Sequence, residues 1–154
     1  MNTQILIDSL ARAPEIIIGL IREGAPENLK RRPPSNKWSA HEHACHISTG
    51  HELFLARLEL MLSEPHPYIS GMAPSPEEEA GALLDVDLDE ALNRYVRERA
   101  ELVTRLKELS PEDWRRTAEH EAYNHYSVST MFRHVLMHEM LHAYRIEELL
   151  LKKD

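Results

Sequence analysis

Apolar residues recur at intervals of three and four through four long segments of this chain, and no stretch between them reads as a strand. That spacing gathers side chains on one face of an α-helix, whereas a half-buried strand needs a period of two. Leu6, Leu10, Ala13, Ile17 and Leu20 predict a first helix over residues 3–22, kinked at Pro14 and ended near Gly24 and Pro26. Ser39-Ala40-His41-Glu42 has the form of a capping box, and it opens a second helix whose broad apolar face continues through Phe54, Leu58 and Met61, giving residues 39–63. A third helix is expected over 87–109, capped by Asp87 or Asp89 and stopped at Ser110-Pro111. The last runs over 127–152, with Lys152 and Lys153 set against its C-terminal dipole. Pro111 to Trp114 reads as one short turn and residues 117–126 as irregular. The expected fold class is all-α, a four-helix bundle in a single domain over residues 1–154.

Composition agrees and narrows the partners. Apolar residues make up 42% of the chain and charged residues 29%, which supplies one core and its polar cover and excludes disorder as the default state. The net charge of -8 repels polyanions, so neither nucleic acid nor an anionic membrane is the expected partner. The basic cluster Lys30-Arg31-Arg32 with Lys37 is short, lacks interleaved aromatics and reads as a solvated connector. A lone cysteine, Cys45, excludes an internal disulfide and is read as a small buried residue or an exposed thiol. With no basic leader and no apolar run of about 18 residues, a cytoplasmic location is expected. Residues 64–86, with four prolines and the run Glu77-Glu78-Glu79, are expected to cross the bundle and cover one end or side of it.

Ten histidines are the compositional anomaly. His138 and His142 fall at the centre of the stripe marked by Val128, Met131, Val135, Ile146 and Leu149, so both rings should point inward, one turn apart. Burying two imidazoles without strong partners costs about 1–3 kcal/mol each, a cost that a shared divalent metal removes. A third ligand has to come from elsewhere, and the second helix offers His46, with His43 and His51 beside it. Three neutral imidazoles suit zinc or nickel and leave coordination positions for water. His134 reads as cavity lining, and His41, His66, His120 and His125 as solvated surface residues. Glu139, about 100° round the helix from His138, should face a neighbouring helix or solvent. Arg57, Arg133 and Arg145 are read as surface ion-pair residues, with the carboxylate of a peptide-like thiol as their other conceivable partner.

Trp38-Ser39 opening a helix, His46 seven residues after that serine, and the late segment Phe132-Arg133-His134-Val135-Leu136-Met137-His138-Glu139-Met140-Leu141-His142 together resemble the DinB superfamily of DinB/YfiT-like metalloenzymes. The resemblance implies a bundle connected up-down-down-up and a metal held by His46, His138 and His142. Relatives commonly form homodimers, for which apolar side chains on the first and third helices would supply a face, whereas a monomeric bundle would use those side chains internally. Relatives of similar fold include mycothiol-dependent maleylpyruvate isomerase and bacillithiol S-transferases. The implied function is therefore a metal-dependent reaction on a small-molecule substrate, either hydrolase-like or transfer of a low-molecular-weight thiol. The alternative is a non-catalytic, stress-related metal-binding or interaction protein. Two positions depart from the family pattern: His51 stands where relatives often carry an acid, and Arg145-Ile146 where many carry Gln-Ile.

Overall fold

A computed structural model describes residues 2–152, and Lys153, which had been placed against the last helix dipole, lies outside the described residues. Four long helical arms form the frame: α1 (Thr3–Glu23), the paired α3 (Ala40–Ile47) and α4 (His51–Ser63), α6 (Leu88–Lys107) and α8 (Val128–Leu151). Short pieces join them: α2 (Pro26–Leu29), β1 (Tyr68–Ile69), α5 (Pro76–Ala80), a 3-10 turn at Ala82–Asp85, α7 (Pro111–Arg115), β2 (Thr117–His120) and β3 (Tyr126–Ser127). Side-chain caps set the starts, with Asn2, Ser39, Asp87 and Ser127 each accepting from a backbone N–H of the first turn. No helix among the described residues is long and apolar enough to cross a membrane.

The core lies in two main layers, and they fix the direction of every arm. One layer joins Leu6 and Leu10 from the start of α1 to Leu58 and Met61 from the end of α4, Leu102 and Leu106 from the end of α6, and Met131 and Phe132 from the start of α8. The other joins Ile17 and Ile21 to Ala40 and Ala44, to Leu92 and Tyr95, and to Ala143 and Ile146. Thus α1 and α8 run one way and α3–α4 and α6 the other, which is up-down-down-up. Two successive arms running the same way require a connection that returns the full length of the bundle. Residues 64–87 make that return.

Three expectations need correction. The predicted helix 39–63 is broken at 48–50. There the Ser48 and Thr49 hydroxyls donate to the carbonyls of Cys45 and His46, both at 2.7 Å, while Gly50 supplies no side chain to hold a helical turn. Residues 117–126 are not wholly irregular: β2 pairs antiparallel with β3 (Thr117↔Ser127, Ala118↔Tyr126) and parallel with β1 (Tyr68↔Glu119). Strands of two to four residues are too short to show a period of two in sequence. The basic connector is also not simply solvated. Arg32 donates to Glu42 from Nε (2.9 Å) and Nη2, and further to the carbonyl of Glu79. Glu42 is fully buried and also closes the capping box by accepting from the Ser39 N–H at 2.9 Å. One carboxylate thereby starts α3, holds the connector and ties α5 to both.

A second buried pair crosses the bundle. Arg99 of α6 donates through Nη1 to Glu139 Oε2 and to the Leu10 carbonyl, each at 2.9 Å, and its Nη2 meets the other Glu139 oxygen. Glu139 therefore faces a neighbouring helix, with residues 99 and 139 only 7% and 3% exposed. Taking one partner away leaves the other charge buried and alone, which costs about 3–5 kcal/mol, whereas replacing both by apolar residues of similar volume costs much less. We expect Glu139→Gln to lower unfolding free energy by about that amount in urea titrations, and Arg99→Met with Glu139→Met to recover most of it. A double variant no more stable than the single one would contradict this account.

Candidate metal centre

The site grows from α8. His138 and His142 lie one turn apart, with ring centroids 4.4 Å apart and His142 Nε2 3.0 Å from His138 Nε2. From α3, His46 sits in the last turn before the break, 5.0 Å from the His142 ring and 5.5 Å from the His138 ring by centroid. One ligand atom from each of His46, His138 and His142 lies within 4.8 Å of the others. The two-layer packing of α3 against α8 brings them together.

The surrounding groups hold the rings in place. His43, one turn before His46, brings its Nδ1 within 2.7 Å of His142 Nδ1, so both nitrogens of His142 meet another imidazole. Trp38 packs on His46 at 4.7 Å, and its Nε1–H donates to the Glu78 carbonyl at 3.2 Å, which ties α5 over the site. Glu78 caps Ser75 with one oxygen and holds the other 3.7 Å from His46 Nδ1, beyond hydrogen-bonding reach. His46 Nδ1 is thus a buried ring nitrogen with no hydrogen-bond partner.

Burial decides the protonation of all these rings. It pushes His43 and His138 down to about 4, and like charge at His46 adds to the effect in each. His142 is lowered further, by burial first and then by His138, His43 and His46. His46 is lowered by burial, with Glu78 pulling the other way. Rings that stay neutral at pH 7 are ligands ready for a cation. An orphaned ring nitrogen, three convergent neutral imidazoles and an outer imidazole behind one of them form a donor set that fits a borderline divalent metal.

The group opens onto a cavity of about 190 Å³. Its far wall comes from elements that carry no helical pattern: Met72, Ala73 and Pro74 of the long connection, and His120, Tyr123 and Tyr126 of the β2–β3 hairpin. The connection does cover the site, as expected of it.

The remaining histidines divide. His51 is not in the group and lies 3.7 Å from Glu101 on α6. His134 is exposed and lines the cavity, against Tyr123 at 5.2 Å. His66 and His125 are exposed, His66 bonding Thr117 Oγ1 at 2.9 Å. Two others are not the solvated residues expected. His41 is buried, with Nε2 3.0 Å from the Leu83 carbonyl, because the 3-10 turn folds down on the first turn of α3. His120 is held between Tyr123 and Tyr126, at 4.7 and 4.4 Å, because the hairpin turns it toward the cavity. Cys45 is fully buried and burial raises its thiol to about 11, so it is a neutral packing residue outside the histidine group. Arg145 makes an exposed pair with Glu148 at 2.7 Å, and Arg133 is exposed. Arg57 is buried and lines the cavity, contrary to its reading as a surface residue.

Comparison with known proteins gives a consistent result. No curated protein matches the chain. Among solved structures, one described as YfiT from Bacillus subtilis, a probable metal-dependent hydrolase with an unusual four-helix bundle topology, is similar with a TM-score of 0.80. The match has 16% sequence identity and covers 96% of this chain and 85% of that one, which shows a shared fold. The profile of the DinB superfamily matches residues 9–146, a span that holds most of each arm and the three converging histidines. By that match the chain belongs to the DinB superfamily.

Proposed function

We propose that the chain is a metal-dependent enzyme of hydrolase-like chemistry, acting on a small molecule in the cavity beside His46, His138 and His142. The observation that carries this reading is the convergence of those three imidazoles, with ligand atoms within 4.8 Å of one another, at the edge of a cavity, with no fourth ligand joining the group among the described residues. Structural zinc sites are normally closed by four protein ligands, and Cys45, the one thiol, is packed elsewhere. We assign the three histidines as the ligands and zinc or nickel as the ion. When bound, a divalent ion with neutral ligands supplies Lewis acidity, lowering the pKa of a water or thiol beside it.

The chain's own residues do the rest. His43 sits behind His142, Nδ1 to Nδ1 at 2.7 Å, and so fixes the orientation of that ring with Nε2 turned toward His138. Trp38 and the connection shield the site from bulk water, which strengthens every electrostatic interaction inside. No carboxylate lines the cavity among the described residues, and the groups placed to take a proton from water there are the imidazoles of His120 and His134. A low-molecular-weight thiol needs no such base once ionised. That observation keeps thiol transfer as the second reading, to be separated by assaying hydrolysis and thiol transfer on the same preparation.

Titration of untagged protein with zinc or nickel should give one ion per chain. His138→Ala and His142→Ala should abolish binding at little cost in thermal stability, since the apolar layers hold the fold. His43→Ala should weaken binding by about 10–100-fold, the usual effect of losing a group behind a ligand, and His51→Ala should leave it unchanged. An apoprotein that unfolds outright would make the metal a structural staple and remove the main support for an enzyme.

Protons give an independent check. The unfolded chain takes up protons at its histidines as pH falls below 6.5, while folded His43 and His138 resist until about 4. The native state binds fewer protons across that window, so metal-free protein should lose stability progressively from pH 6.5 to about 4, with nothing lost from these rings above pH 7. Urea midpoints at pH 7 and 5 should show the fall, reduced in His142→Phe. A pH-independent midpoint would mean that the rings are not buried as described.

A further inference from the structure

Arg57 stands apart from the other buried arginine. Arg99 meets a carboxylate at Glu139, and the partly buried Arg32 meets one at Glu42. Arg57 is only 8% exposed, yet it has no carboxylate partner among the described residues. Its Nη2 donates to the Ser70 carbonyl at 2.7 Å, and its guanidinium lies 5.8 Å from the Phe54 ring centre. It also hydrogen-bonds the Tyr126 side chain, and its positive charge is felt at His120; two of its five N–H donors are thereby used and the others are left over. A cation taken out of water without a counter-ion is costly, and a guanidinium with unclaimed donors is a ready receptor for a planar anion.

The cavity makes that anion a ligand. In a chain with 26 acidic residues, none of the residues lining this space is Asp or Glu. Glu121, next to His120, is outside this lining and accepts from the Gly71 N–H at 2.6 Å, on the other side of the peptide group whose carbonyl takes the Arg57 donor. Apart from the histidines the walls are aromatic and aliphatic: Trp38, Phe54, Tyr123 and Tyr126 line the same space as Arg57, together with small or apolar side chains such as Met72 and Val135. At about 190 Å³ it is smaller than the roughly 300 Å³ at which pockets for drug-sized ligands begin, so its occupant is small.

We propose that this cavity selects a small carboxylate with an aromatic or apolar body, and that Arg57 is the specificity-determining residue that receives its charge. The inference names the substrate class of the metal-dependent site and rests on that reading for its function, although the anion site itself needs no metal. Arg57 holds the carboxylate by paired N–H donation while the aromatic walls cover the body. The end left over lies toward the histidines that line the same cavity.

Metal-free protein tests this without the ion competing for the ligand. In a Trp114→Phe background, Trp38 reports on the cavity, and benzoate can be compared with benzamide, its uncharged counterpart. Benzoate should bind at least about tenfold more tightly, the effect of one or two hydrogen bonds to a charged group. Arg57→Met should bring the two within about threefold of each other. Ala73→Asp, at an exposed position lining the cavity, puts a carboxylate in the wall without touching the core and should erase the preference likewise. Equal binding of the two probes, no binding of benzoate, or a preference that survives in Ala73→Asp would overturn the proposal. Zinc titration of the same proteins keeps the two readings apart. Benzoate preference without zinc binding upholds the anion site and fails the metal reading, and zinc binding without benzoate preference does the reverse.

Discussion

Two imidazoles one turn apart on the inward stripe of a helix are a burden unless something takes their nitrogens, and much of this molecule is arranged around that burden. His138 and His142 go inward because Met131, Val135 and Ile146 must, since all share one face of α8. The bundle answers with His46 and His43 from the facing helix, so the rings partner one another in an interior that keeps them neutral. A cluster of neutral imidazoles is a poor structural solution on its own, because each ring brings one donor and one acceptor that apolar packing would not need to satisfy, and His46 Nδ1 is left without a partner. It makes sense as a cation site.

The long return connection follows from the same arrangement. With α3–α4 and α6 running the same way, the chain must come back along the bundle, and the returning strand of chain is where the site gets its walls. Glu42 anchors this geometry by serving the Ser39 cap and Arg32 together, and Arg32 reaches on to the Glu79 carbonyl beside α5. The chain is acidic overall, but among the described residues none of the side chains lining the cavity of His120, Tyr123 and Arg57 is an acid, and the nearest carboxylate to the histidine group there is Glu78, 3.7 Å from His46 Nδ1.

Legibility in the sequence followed periodicity. The arms α1, α6 and α8 were readable to within a residue or two because each carries an unbroken apolar stripe and a side-chain cap. The central placement of His138 and His142 came from the same stripe, and the choice of His46 over His43 and His51 came from the family resemblance. The break at 48–50 was hidden because the apolar pattern continues across it. What interrupts the helix is local competition by the Ser48 and Thr49 hydroxyls for backbone carbonyls. The short strands, and with them Tyr126 and His120, lie in segments too brief to show any period. Arg57 was misread because a helical wheel cannot tell a cation on a solvent edge from one beneath a loop folded over it. His41 was missed for the same reason, as the 3-10 turn that covers it arrives from a distant part of the chain.

The claim on which the rest turns is that His46, His138 and His142 share one ion and leave it an open side. X-ray absorption at the metal edge of zinc-loaded protein in solution addresses that claim without crystals or an assay. The account predicts three imidazole nitrogens at about 2.0–2.1 Å, with the remaining coordination filled by a light exchangeable atom that benzoate or a thiol alters. A sulfur at about 2.3 Å in protein free of added thiol, a shell of oxygens without imidazole, or a fourth protein ligand closing the sphere would contradict it.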